Sequence, residues 1–284
     1  MIETASAWRD YELLDAGGGE KLERWGAVTV ARPDPQAFWP RAYEWEKPDM
    51  RYHRSKSGGG HWEKLSKDIP GAWQVGYGRL RFHIRPTGFK HMGLFPEQAP
   101  NWDRYAGFGL KGAKILNLFA YTGGATAACL MAGAEVTHVD AAKGMNAWAR
   151  DNVALCGLSA RPCRILTDDC QKFARRELRR GSRYDGVIMD PPVYGRGPDG
   201  AMWKLEENLC GLVDDCFLLL CRNPLFVQIN AYAAGFSPQA FANALKIGAE
   251  KAGLGGSVEC GEVGLPARSG VILPCGVYAL WKGS

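Results

Sequence analysis

The chain has 284 residues, of which 46% are hydrophobic and 23% charged. That composition excludes a mainly disordered chain, and the length accommodates one large domain with a smaller one. A net charge of +5 is too mild to specify a nucleic-acid partner by itself, so its distribution matters more than its size.

Residues 1–88 read as a small, mainly β domain. Ala27-Val-Thr-Val-Ala31 and Leu80-Arg-Phe-His-Ile-Arg85 alternate in polarity, as half-buried strands do. Gly17–Gly19, Pro33–Pro35, Gly58–Gly60 and Pro86–Gly88 punctuate them, and a long loop is expected around residues 46–70. The texture changes near residue 110: seven of the ten tryptophans and four of the five histidines precede it. Residues 89–284 form the expected second domain. There Lys114–Phe119 predicts a strand, Ala125–Ala132 a helix, Glu135–Asp140 a strand and Lys143–Leu155 a helix closed by Gly157. Arg164–Thr167 predicts a third strand, Gln171–Leu178 a helix, Tyr184–Asp190 a fourth strand and Glu206–Cys221 a helix. Leu225–Asn230 predicts a fifth strand and Gln239–Lys251 a helix, and Ser257–Val263 and Gly276–Trp281 an antiparallel edge. Such alternation means a doubly wound α/β sheet with helices on both faces.

Ligands of such sheets bind beyond the carboxyl ends of the strands, near the topological switch point. The residues that follow each strand are therefore the candidates. Phe119-Ala-Tyr-Thr-Gly-Gly124 lacks the first glycine of a dinucleotide-binding loop, which argues against a pyrophosphate cradle. Asp140 stands 17 residues beyond Gly123, where a carboxylate can accept from ribose hydroxyls. Asp168 and Asp169 follow the third strand and can accept from an adenine amino group, although Asp169 also suits a helix N-cap. After the fourth strand comes Asp190-Pro-Pro-Val-Tyr194, in which each proline forces its predecessor into an extended conformation.

In this order, Asn117-Leu-Phe-Ala-Tyr-Thr-Gly123, Asp140, Asp168-Asp169 and Asp190-Pro-Pro resemble the class I S-adenosylmethionine-dependent methyltransferases. More narrowly, they resemble the family of bacterial large-subunit rRNA methyltransferases, with its 5-methylcytosine and 7-methylguanine branches. Gly88–Gln98 resembles the block that enters that family's catalytic domain, so the resemblance covers about residues 88–251. It implies a seven-stranded Rossmann-like methyltransferase sheet and S-adenosyl-L-methionine as cofactor. Asn117, Phe119, Ala120, Tyr121, Thr122 and Gly123 would line the cofactor, with Asp140 on its ribose and Asp168 and Asp169 on its adenine. Asp190, Pro191, Pro192 and Tyr194 would form the catalytic set around the transferred methyl group. Lys90, Gln98, Arg196, Lys204 and Asn230 are the candidate substrate contacts, and no metal is expected.

The 5-methylcytosine branch carries a cysteine nucleophile after the fifth strand. Here that place reads Ile229-Asn-Ala-Tyr232, and Cys221 precedes the strand. This disfavours covalent attack at carbon and favours a nitrogen acceptor in RNA such as rRNA. Transfer to a protein or small molecule, or an inactive cofactor-binding or RNA-binding protein, are the competing readings. An oxidoreductase fits poorly, because the dinucleotide glycine pattern is missing. Nine cysteines without a Cys-x-x-Cys pair read as reduced thiols of a cytoplasmic protein. No basic-then-apolar leader and no membrane-spanning apolar run are visible. Residues 41–91 hold eleven basic and five acidic residues, interleaved with eight aromatics from Tyr43 to Phe89. Basic and stacking side chains together suit a nucleic-acid surface, so this segment is the expected RNA guide. The loop Gly195–Gly200 is a second basic candidate.

Overall fold

A computed structural model describes every residue except Met1, Ser6, residues 56–58, 198–199 and Ala234. Gly58 of the expected glycine run, and Pro198 and Asp199 of the expected basic loop, lie outside the described residues. The chain divides into two compact units, Ile2–Pro100 with Val263–Cys275, and Asn101–Glu262 with Gly276–Ser284.

The first unit carries β1 (Ile2–Thr4), β2 (Tyr11–Gly17), β3 (Glu20–Trp25), β4 (Val28–Pro33), β5 (Met50–Arg54), β6 (Gly60–Lys64), β7 (Trp73–Tyr77) and β8 (Leu80–Ile84). Strands β2 to β6 form one sheet in sequence order, and β7 and β8 form a separate hairpin. Residues 46–70 are therefore not one long loop, because they contain the β5–β6 hairpin. Its first strand buries Met50 and Tyr52 two residues apart, the period of a half-buried strand. Four of the eight interleaved aromatics, Trp45, Tyr52, Tyr77 and Phe82, are core, while Tyr43 and Phe89 are exposed. The unit also buries an ion cluster. The Tyr11 hydroxyl and Arg32 Nη2 both donate to Glu23 Oε1 at 2.8 Å, and Lys21 Nζ pairs with Asp34 at 3.0 Å. Burial alone pushes the Glu23 carboxyl up, but Arg32 and Lys21 outweigh it and hold the group at about 2. The late segment Val263–Cys275 is stitched to β2: the Arg268 and Ser269 N–H groups donate to the carbonyls of Leu13 and Leu14 at 2.8 and 3.2 Å. The Arg268 guanidinium adds a bond to Glu12 at 2.8 Å.

A 3-10 turn, Pro96–Gln98, leads into α1 (Ala99–Gly107). Then follow β9 (Lys114–Leu118), α2 (Gly124–Met131), β10 (Glu135–Asp140), α3 (Lys143–Leu155), β11 (Cys163–Thr167), α4 (Cys170–Arg180) and β12 (Gly186–Met189). A short hairpin, β13 (Tyr194–Arg196) and β14 (Met202–Lys204), precedes α5 (Leu205–Leu218), β15 (Phe226–Ala231), α6 (Pro238–Lys251), β16 (Gly256–Pro266) and β17 (Ile272–Gly283). The strand order is β11-β10-β9-β12-β15-β17-β16, and β1 follows β16. The first five strands of that order run parallel, whereas β17 is antiparallel to β15 and lies inside the sheet rather than at its edge. The doubly wound sheet is thus formed as the alternation predicts. Its central strands read as continuous apolar runs because both faces are covered, with Leu116, Leu118, Val187, Met189, Val227 and Ile229 all buried. Helices α5 and α6 approach closely: a Cβ at Gly248 would lie 2.8 Å from Phe217 and Val213. Among the described residues no helix is long and apolar enough to cross a membrane.

Candidate active site

The chain runs from β9 outward to β10 and β11, then crosses to β12 on the other side of β9. That reversal between β9 and β12 is the switch point of the sheet. Register places the strand ends flush. Leu118 pairs with Met189 on one side and Val139 on the other, and Asp140 pairs with Thr167. One residue beyond each pairing, Asp190, Phe119 and Asp140 therefore stand side by side, and Asp168 begins the next strand's exit. Adjacent strands lie about 4.8 Å apart, so three carboxylates line one edge within a small ligand's reach.

The loop between β9 and α2 is held in an unusual conformation. Phe119 and Tyr121 have φ of 54° and 50°, in the left-handed region that bulky side chains avoid. Each such residue costs about 1–3 kcal/mol and persists only where its surroundings fix it. They do so residue by residue. The Phe119 N–H donates to Cys170 Sγ at 3.2 Å, that of Ala120 to the Val139 carbonyl at 3.1 Å, and that of Tyr121 to Asp140 Oδ2 at 2.8 Å. The Thr122 carbonyl accepts from Asn152 Nδ2 at 2.8 Å, and the Gly123 N–H donates to the Ala120 carbonyl at 3.0 Å. Gly123 itself has φ 83°, and a Cβ there would press on that of Ala149 at 3.1 Å. Glycine is required because the start of α2 and the middle of α3 meet there.

Asn117 lies beneath this loop and is buried. Its Nδ2 donates to Thr126 Oγ1 at 2.9 Å. Thr126 Oγ1 lies 2.9 Å from His138 Nδ1, and His138 Nε2 lies 3.0 Å from Asn146 Oδ1. Asn146 Nδ2 then donates to the Asp140 and Leu166 carbonyls and to Thr167 Oγ1 at 2.9–3.1 Å. Because the amides at both ends have fixed roles, the chain assigns a neutral His138 that accepts at Nδ1 and donates at Nε2. Burial lowers the imidazole to about 4, which keeps it neutral. The relay ties the ends of β9, β10 and β11 together. Sequence reading missed Thr126, His138 and Asn146, since no motif marks them.

Asp140 holds the Tyr121 N–H with Oδ2 and the Ala142 N–H with Oδ1, both at 2.8 Å. Burial raises its carboxyl above the ordinary aspartate value, against the pull of those two N–H donors. Each oxygen keeps a second lone pair, enough for the vicinal hydroxyls of a ribose. Asp168 is paired with Arg176 and accepts from the Asp169 N–H at 2.8 Å. Asp169 is the N-cap of α4, with Oδ1 accepting from the Lys172 N–H at 2.9 Å. The acceptor set fits the nucleoside expected at this edge: a fixed carboxylate for the diol, two more carboxylates beyond it, and a rigid aromatic loop.

Asp190 is half-buried, and its N–H donates to the Leu118 carbonyl at 3.3 Å. The prolines after it are anchored by Trp203, whose indole N–H donates to the Pro192 carbonyl at 2.7 Å. The Trp203 ring packs on Phe119 with centroids 4.9 Å apart. Trp203 thus joins the Asp-Pro-Pro run to the glycine loop, a link the sequence did not reveal. The expected basic loop is built as the β13–β14 hairpin. Tyr194, Arg196 and Lys204 are exposed on it, and Lys204 Nζ bonds Glu207 at 2.6 Å. Asn230 is buried, with Oδ1 accepting from Asn101 and Gln228 at 3.0 and 2.9 Å. Lys90 and Gln98 belong to the other unit, where Lys90 Nζ donates to the Pro33 carbonyl at 3.2 Å and Gln98 is buried in the 3-10 turn. Among the described residues no group of three or more His, Cys, Asp or Glu side chains is placed to hold a metal.

Residues 48–242 match the family model described as S-adenosylmethionine-dependent methyltransferase. A SAM-dependent methyltransferase from Agrobacterium tumefaciens is 33% identical, with a TM-score of 0.94 over 100% of this chain and 94% of that one. SMU.776, crystallised with SAH, is 17% identical with a TM-score of 0.73 over 97% of this chain and 76% of its own, a likeness of fold. The "Ribosomal RNA large subunit methyltransferase K/L" of Shewanella sp. (strain MR-4) is 32% identical over 150 residues. That match covers 52% of this chain and only 21% of the relative, so the chain spans about a fifth of that protein's length. The family model, the full-length structural likeness and the strand-end geometry agree: the chain belongs to the S-adenosylmethionine-dependent methyltransferase family.

Proposed function

We propose that the protein transfers a methyl group to a nitrogen of a base in RNA, with ribosomal RNA as the source of the acceptor. The observation that carries this reading is Asp190-Pro-Pro at the switch point, beside the loop that would hold the cofactor. When bound, the cofactor supplies an activated methyl group and its own leaving group, so the protein contributes alignment and electrostatics. Asp140 would hold the ribose hydroxyls on its second lone pairs, with Asp168 and Asp169 on the adenine side. Phe119 to Gly123 would set the methionine end through their locked backbone. The Asp190 carboxylate and the Pro191 carbonyl accept from the N–H groups of the acceptor and aim its lone pair at the methyl group.

The cysteines support nitrogen over carbon as the acceptor. Cys221 lies at the opposite, amino end of the sheet, its Sγ bonded to Asp185 Oδ1 at 3.1 Å. Cys170 stands at the right end but is buried, and burial pushes its thiol well above the ordinary value. Neither suits covalent attack on a pyrimidine ring. RNA as the acceptor rests on the relative of that activity and on the basic, aromatic hairpin beside Asp190.

Calorimetric titration with S-adenosylhomocysteine and with NAD tests the cofactor, with binding expected for the former alone. Incubation with methyl-labelled cofactor and unmodified ribosomal RNA tests the acceptor. Label in RNA supports the reading; label confined to protein or small molecules overturns its RNA part.

A further inference from the structure

Resting on the RNA reading above, we infer that the outer face of the β13–β14 hairpin receives the nucleotide next to the acceptor base. Tyr194 and Met202 form its stacking platform, and Arg196 its phosphate contact. The argument starts from register. Tyr194 pairs with Lys204, Gly195 with Trp203 and Arg196 with Met202. Paired residues share a face and successive residues alternate, so Gly195 and Trp203 point one way and Tyr194, Arg196, Met202 and Lys204 the other. The inner face is committed: Trp203 is buried on Phe119 and bonded to the Pro192 carbonyl, and a Cβ at Gly195 would lie 3.3 Å from Pro192.

Among the described residues the outer face is largely exposed. Tyr194 is 57% exposed and Met202 41%, and the adjoining Val193 is 48% exposed. Three of the ten large hydrophobic side chains exposed among the described residues thus sit on this one segment, directly after Asp190-Pro-Pro. The Tyr194 hydroxyl donates to Met202 Sδ at 3.5 Å, so ring and thioether adjoin on that face. Arg196, exposed on the same face, edges that surface with a guanidinium. A flat aromatic surface edged by a cation is the arrangement that binds single-stranded nucleic acid. Base faces are free only where a nucleotide is unpaired or flipped out, so the stacked nucleotide is in one of those two states. Because Trp203 bolts the hairpin to the Asp-Pro-Pro carbonyl, a base stacked on Tyr194 positions its neighbour over Asp190.

The test uses the full chain carrying Tyr194→Ala, Tyr194→Phe or Arg196→Gln. A short fluorescein-labelled single-stranded RNA is titrated at several salt concentrations with S-adenosylhomocysteine present, and S-adenosylhomocysteine alone is titrated by calorimetry. Tyr194→Ala weakens RNA binding about tenfold, as loss of one stacked base does, and Tyr194→Phe retains wild-type affinity. Arg196→Gln lowers the salt slope by about one unit. S-adenosylhomocysteine affinity stays unchanged in all three. Wild-type RNA affinity in Tyr194→Ala overturns the inference and leaves the RNA reading standing. A wild-type protein that binds S-adenosylhomocysteine but no RNA overturns both. Loss of S-adenosylhomocysteine affinity in Tyr194→Ala also overturns it, because the ring then serves the cofactor.

Discussion

His138 is a buried imidazole held near 4 by its burial, while an unfolded histidine titrates near 6.5. Between those values the unfolded chain binds a proton that the folded chain does not, so stability rises with pH across that window. The contribution is fully present above pH 6.5 and is lost as pH falls toward 4, by about 3 kcal/mol in all. Denaturant titrations at pH 7.5 and 5 measure this slope, and His138→Asn flattens it. Asp140 gives a second expectation. Asp140→Asn turns one acceptor into an N–H donor that faces the Tyr121 or Ala142 N–H. S-adenosylhomocysteine affinity then falls at least about tenfold, with about 1–3 kcal/mol of stability lost. Unchanged affinity in calorimetry contradicts the role given to Asp140. The strand-end positions of Asp140 and Asp190 are legible in the sequence because an apolar strand announces where it stops. The relay is not legible, since a threonine, a histidine and an asparagine on three elements become neighbours only when the sheet forms.

At the scale of elements, α4 and the hairpin make separable demands. Asp169 caps α4, so Asp169→Ala lowers stability by about 1 kcal/mol, and Asp169→Ser, which also caps, restores it. S-adenosylhomocysteine affinity in Asp169→Ser then tests the proposed adenine contact apart from the cap, and a reduced value is expected. Trp203→Ala removes both the Pro192 bond and the packing on Phe119. It costs about 3–5 kcal/mol in thermal unfolding and weakens S-adenosylhomocysteine and RNA together. Trp203→Phe keeps the ring contact and recovers most of the stability. The central strands and the helices from α2 onward follow from apolar runs, glycine stops and cap residues. The hairpin does not, because Gly195–Gly200 reads as a loop until Tyr194–Arg196 and Met202–Lys204 are seen to pair. The β5–β6 hairpin escapes for a similar reason: its outward residues are charged or histidine, which masks the alternation of Met50 and Tyr52.

For the whole molecule, charge is better stated by region than by total. Residues 41–91 carry six of the positive charges in excess, which leaves the remainder at −1. On the proposed RNA reading, RNA affinity therefore falls steeply as salt is raised, while S-adenosylhomocysteine affinity does not. Fluorescence and calorimetric titrations at low and moderate salt check the contrast. The aromatics in that segment contribute less than their number suggests, since Trp45, Tyr52, Tyr77 and Phe82 are spent on the core.

The return of Val263–Cys275 to β2 governs the order in which the chain can mature on the ribosome. Domains are generally completed in the order they emerge. Here the amino-terminal unit is the first to be translated, yet it is closed only by a segment made after residues 101–262. Its partner for Glu12, Leu13 and Leu14 leaves the exit tunnel only after α6 has been made. During that interval the edge beside β2 is open to other strands, so a nascent chain arrested before residue 263 is the form most exposed to misassembly.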